Sequence, residues 1–116
     1  MILIPDLERS SRSREYNNYT DEQRAAVVKA WLFSKKTHRQ IDRDILGIVN
    51  WNSRGYQSMG ILHYLGLRKE FHNLFHGMTV SEGISALKET GNPDFNDIIS
   101  LLSGNELFPG KQNNAD

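Results

Sequence analysis

Thr20-Asp21-Glu22-Gln23-Arg24-Ala25-Ala26-Val27-Val28-Lys29-Ala30-Trp31-Leu32-Phe33-Ser34 decides the fold class. A threonine followed three places later by glutamine is a capping box. The two side chains satisfy each other's backbone N–H groups at a helix start. Ala25, Val28, Trp31 and Leu32 then recur at helical spacing. Lys35 and Lys36 close the stretch with positive charge, which complements the carbonyl end of a helix. The spacing predicts a helix from Thr20 to about Ser34.

The same pattern repeats outward. Thr37-His38-Arg39-Gln40 is a second capping box, with Ile41, Ile45 and Leu46 as the stripe of a short helix and Gly47 as its stop. Gly47–Asn52 reads as a connector. Asn52 or Ser53 can cap a third helix running to Leu65, before Gly66, with Met59, Ile61, Leu62 and Leu65 apolar. Gly55 and Gly60 fall inside it, each costing about 1 kcal/mol relative to Ala. Residues 68–76 form a fourth helix carrying Phe71, Leu74 and Phe75, ended by Gly77. Thr79-Val80-Ser81-Glu82 is a third capping box, with Val80, Ile84 and Leu87 behind it. Asn92-Pro93 starts a last helix through Phe95, Ile98, Ile99 and Leu102, stopped by Gly104.

Only Ile2–Ile4 and Ile48-Val49 hint at strand, and both are too short to build a sheet. The expected architecture is all-α. Five to six short helices form one domain over 19–104, a trihelical helix-turn-helix-like unit followed by a helical hairpin. Residues 1–18, with Arg12 and Arg14, read as a flexible basic arm, and 105–116 as a flexible tail.

Composition excludes several classes. The chain of 116 residues has no cysteine, so disulfides and thiolate metal sites are absent. No apolar run approaches the roughly 20 residues that span a bilayer. Met1–Pro5 lacks the form of a signal peptide, which points to a cytoplasmic, membrane-free protein. The formal net charge is zero, but it is unevenly spread. Residues 9–69 hold twelve basic and five acidic side chains, whereas residues 70–116 hold two basic and seven acidic ones. That asymmetry suits one polyanion-facing half, or chance clustering on solvated faces.

A third helix of a trihelical unit can enter the major groove of duplex DNA and present its first turn to base edges. Here Asn52, Arg54, Gln57 and Ser58 are the candidate base contacts, with Arg54 suited to guanine and Gln57 to adenine. Lys35, Lys36, Arg39, Arg43 and the Arg12/Arg14 arm are the candidate phosphate contacts. Gly55 would let the backbone approach a phosphate. Trp51 and Tyr56 are candidate stacking residues for a base, against the plainer role of anchoring the connector to the core. Any three packed helices give this pattern, and the connector of about six residues exceeds the usual three- or four-residue turn.

Catalysis finds no frame. There is no Gly-x-Ser-x-Gly elbow and no phosphate loop, and Asp42 and Asp44, two apart, point to different sides of a helix. His72 and His76 share a helical face with His63 one or two turns before, but only Glu70 is near and no zinc pattern results. No metal or cofactor is expected.

The stretch Thr37–Gly47, followed by Ser53–Leu67, Phe75-His76-Gly77 and a capped helix, resembles the N-terminal region of some bacterial HNH-type restriction endonucleases. The likeness spans roughly residues 19–103, and Ser53–Leu67 is its most distinctive part. It implies a DNA-recognition role preceding a nuclease domain. This chain departs from that family in lacking the HNH motif and its knuckle cysteines. Cleavage would therefore need a nuclease domain or partner protein. The expectation is a non-catalytic module for double-stranded DNA, modified or not, connected with restriction or phage defence. The competing expectation is a small helical protein-interaction module or inhibitor whose acidic half docks on a basic partner. A homodimer is the third.

Overall fold

A computed structural model of the chain describes residues 3–9, 16, 18–48 and 55–107. Among these lie six α-helices and no strand: α1 (Asp21–Leu32), α2 (His38–Asp44), α3 (Tyr56–Leu65), α4 (Lys69–Phe75), α5 (Val80–Glu89) and α6 (Asn96–Leu107). A 3-10 turn, Pro93–Phe95, leads into α6. The all-α architecture of short helices is as the sequence predicts.

All three capping boxes form. Thr20 with Gln23, Thr37 with Gln40 and Thr79 with Glu82 each exchange the reciprocal side-chain-to-backbone bonds. A cap of this kind is worth about 1 kcal/mol, enough to fix where a seven-residue helix such as α2 begins. Asn92 caps the 3-10 turn, with Pro93 at its first position.

Helix α1 is the central element and packs against α2, α3, α4 and α6. It therefore buries Val27 as well as the expected Ala25, Val28, Trp31 and Leu32. Ile61, Leu62, Leu65, Phe71, Phe75, Leu87, Phe95, Ile98 and Leu102 complete most of the core. Each such aliphatic or aromatic side chain contributes about 1.5–3 kcal/mol on full burial. Phe71 sits edge-on to Phe95, ring centres 6.2 Å apart, tying α4 to the start of α6. α5 packs on α6.

Four expectations need correction. Residues 3–9 are not part of a detached arm. Ile4 and Leu7 pack on the core, and the Glu8 N–H donates to the Gly66 carbonyl at 3.1 Å. Arg9 grips Asp97 with two nitrogens, at 2.9 and 3.0 Å, and the Asp94 carbonyl with one. Helix α3 begins at Tyr56, later than a cap at Asn52 or Ser53 would place it. Gly55 is not a helix-interior residue but the N-cap, at φ +83°. Finally, α6 continues through the half-buried Gly104 to Leu107, since one glycine lowers helix propensity without forcing a helix to end.

Candidate nucleic-acid interface

Helix α2 buries Ile41 and Asp42 against the domain and turns Arg39, Gln40, Arg43 and Asp44 to solvent. Arg39 and Arg43 lie four apart and so share one face. Lys35 is exposed just before the helix, and Lys36 is half-buried. These four basic residues thus lie on α2 or just before it. Their charge is partly spent, however. Asp44 accepts from Lys36 Nζ at 3.1 Å and from Arg43 Nε at 3.3 Å. Those two bonds, Lys36 first, hold the Asp44 carboxyl below its ordinary range.

The start of α3 lies directly against α2. A Cβ on Gly55 would stand 2.6 Å from His38 Cβ and 2.9 Å from the Arg39 backbone nitrogen. Gly55 thus serves the approach of one helix to another, not of backbone to phosphate. The first turn of α3 is held by Asp42, whose carboxylate accepts from the Gln57 N–H at 3.2 Å and the Ser58 N–H at 2.8 Å. A buried carboxylate at this end satisfies backbone donors that a phosphate would otherwise seek.

This packing sorts the candidate base contacts. Ser58 is fully buried, and its hydroxyl donates to the His38 carbonyl at 3.1 Å; it does not reach a base edge. Buried positions on α3 are therefore Ser58, Ile61, Leu62 and Leu65, while Met59 is only half-buried. Gln57 is half-buried, and its side-chain carbonyl accepts from the Tyr19 hydroxyl at 2.9 Å. Tyr56 stands out at 64% exposure, too much for a connector anchor. Asn52, Arg54 and Trp51, with Arg12 and Arg14, lie outside the described residues.

A row of rings runs beside this face. Trp31 stacks on His38 (5.7 Å) and leans on His72 (5.2 Å), and His72 stacks on His76 (5.6 Å). Burial, then the neighbouring His63, push His38 below the ordinary imidazole value, against a smaller upward pull from Asp42. Burial and then Arg68 push His63 down as well. Among the described residues, no three His, Asp or Glu side chains converge as metal ligands.

The opposite charge gathers elsewhere. A concavity of about 430 Å³ between α1 and α6 is lined by Tyr16, Asp21, Glu22, Asp97, Ser100, Leu101 and Gly104. A shallower groove on the exposed face of α5 includes Glu82 and Glu89. No helix among the described residues is long and apolar enough to cross a membrane.

Comparison with known protein families, with curated proteins and with solved structures found no match.

Among residues the sequence reading missed, Asp42 matters most. In the sequence it lies between Arg39 and Arg43 and looks like any solvated charge. Only its contact with a residue sixteen places away reveals the cap.

Proposed function

We propose that the chain is a double-stranded-DNA-binding module, without catalytic activity of its own, whose contact face is the exposed side of α2 together with the start of α3. One observation carries this reading. Lys35, Arg39 and Arg43 lie on the surface next to the start of α3, where Tyr56 projects into solvent. Cations in such a row neutralise backbone phosphates, and an exposed ring beside them offers a face for stacking. The cap by Asp42 argues for phosphate contacts through α2 side chains and not through the α3 N–H groups. Base readout then rests on Arg54 and Asn52, with Tyr56 and Gln57 beside them. The connection with restriction or phage defence rests on the sequence resemblance alone, and cleavage would need a separate nuclease.

The test is fluorescence anisotropy on labelled duplexes, methylated and unmethylated, at low salt. Binding whose logarithm falls linearly with log salt supports the reading. Absence of binding to either duplex at low salt overturns it.

A second reading is favoured by the acidic groove on α5, lined by Glu82 and Glu89 together with Ser81, Ser85 and Ala86. In that reading the chain is a protein-interaction module for a basic partner. Recovery of one stoichiometric protein by the chain, abolished by Glu82→Lys and Glu89→Lys together, with no DNA binding, would favour it.

A further inference from the structure

His72 and His76 carry chemistry that the DNA reading does not use. They lie four apart on α4 and its C-cap, with rings 5.6 Å apart and only 16° from parallel. His72 Nδ1 is 2.6 Å from the Trp31 carbonyl oxygen. His76 Nδ1 is 3.2 Å from the carbonyl oxygens of both His72 and Asn73. A carbonyl oxygen only accepts, so in each ring Nδ1 carries the proton. In the neutral imidazole the lone pair then resides on Nε2.

We propose that His72 and His76 form a two-imidazole chelate for a late first-row divalent cation, binding through their Nε2 atoms. Three features support it. Both rings already donate Nδ1–H to backbone carbonyls, the outer-shell bond that fixes tautomer and raises basicity in metal-bound histidine. Positions four apart share one helical face, which places the two rings side by side, centres 5.6 Å apart. Imidazole nitrogen suits zinc, nickel and copper over magnesium or calcium. His76 is exposed and His72 half-buried, so a cation reaches the pair from solvent and keeps water in its remaining positions. The lack of a third converging His, Asp or Glu among the described residues makes this an open, exchangeable site and not a closed structural one. The proposal stands independently of DNA binding.

The test uses the full chain without a histidine tag, titrated calorimetrically with nickel chloride and, separately, zinc chloride. Saturable uptake of one cation per chain is expected, with an upward shift in Tm that a chelator reverses, since the cation binds the folded pair. His76→Ala, at an exposed position, and His72→Gln, which can still donate to the Trp31 carbonyl, should each abolish it. His63→Ala should leave it intact. Absence of saturable binding by the unsubstituted chain overturns the proposal. So does binding that survives either His76→Ala or His72→Gln, because a chelate needs both rings.

Discussion

Asp42 on α2 caps Ser58 on α3: its carboxylate accepts the Ser58 backbone N–H at 2.8 Å and the adjacent Gln57 N–H at 3.2 Å. The donor–acceptor pair joins the end of α2, which stops at Asp44, to the start of α3 at Tyr56. Gly55, at the N-cap position, has no side chain to do this work. Asp42→Ala leaves two helix-terminal donors without that acceptor. It should cost about 2–4 kcal/mol, read from urea unfolding midpoints. Asp42→Asn keeps one acceptor oxygen and should cost about half as much. An alanine variant as stable as the parent would show that solvent replaces this cap at no cost.

The contrast between Asp42 and the threonine caps explains what was legible in the sequence. Thr20, Thr37 and Thr79 cap through a partner three residues on, so the signal is local and the helix starts follow from it. Leu62, Leu65, Phe71, Phe75, Ile98 and Leu102 likewise follow from helical spacing and all enter the core. Asp42 and Ser58 are polar residues whose burial depends on each other, and no periodicity reports that. Arg9 is similar: its partner Asp97 lies at the other end of the chain, so residues 3–9 looked unattached. The candidate contact face was legible as composition, in Lys35, Arg39 and Arg43. That Asp44 offsets two of its neighbouring cations was not, because Lys36 meets it only when α2 is folded.

Gly55 should be the least replaceable glycine described. It combines a left-handed backbone, φ +83°, with contacts a Cβ would violate at 2.6 Å and 2.9 Å, the second to backbone. Gly55→Ala adds the left-handed penalty of about 1–2 kcal/mol to a clash that only a shift of α2 can relieve. A total near 3 kcal/mol is expected. Gly91→Ala keeps the backbone penalty, φ +67°, but meets open space, so it should cost about 1 kcal/mol. Gly77→Ala meets neither obstacle and should be neutral or slightly stabilising. Equal midpoints for the Gly55 and Gly91 variants would contradict the close approach of α2 to α3.

Stability should fall as the solution is acidified below neutrality. His38 and His63 are both held below the ordinary imidazole value in the fold, chiefly by burial. The unfolded chain, with imidazoles near 6.5, therefore takes up protons first. Their contribution is complete above that value and is lost as pH falls through it toward the lower folded values. Facing His38 are Trp31, Ser58, Asp42, His63 and His72, and Asp42 alone pulls its value upward. Urea midpoints should decline as pH falls through the ordinary imidazole value of about 6.5, well above the range of the depressed Asp44 carboxyl. His38→Gln should flatten the decline. An unchanged slope in that variant would remove His38 from the account.

Asp44 offers the sharpest test of the basic face, because its removal predicts a gain. Its carboxylate neutralises part of the field set up by Lys36 and Arg43, at 3.1 Å and 3.3 Å. Asp44→Asn releases both cations without altering the buried side of α2, where Ile41 and Asp42 lie. If α2 lies along a phosphate backbone, the variant should bind non-specific duplex more tightly at low salt. Its plot of log K against log salt should steepen by about one, as for one further phosphate neutralised. Arg39→Ala should shift the same plot the other way by a similar amount, and on every sequence alike, since phosphate contacts carry no base information. Indifference of duplex binding to both changes would place the contact elsewhere. The basic face would then be an ordinary solvated surface, and the acidic groove on α5 would become the leading candidate for the working side of the molecule.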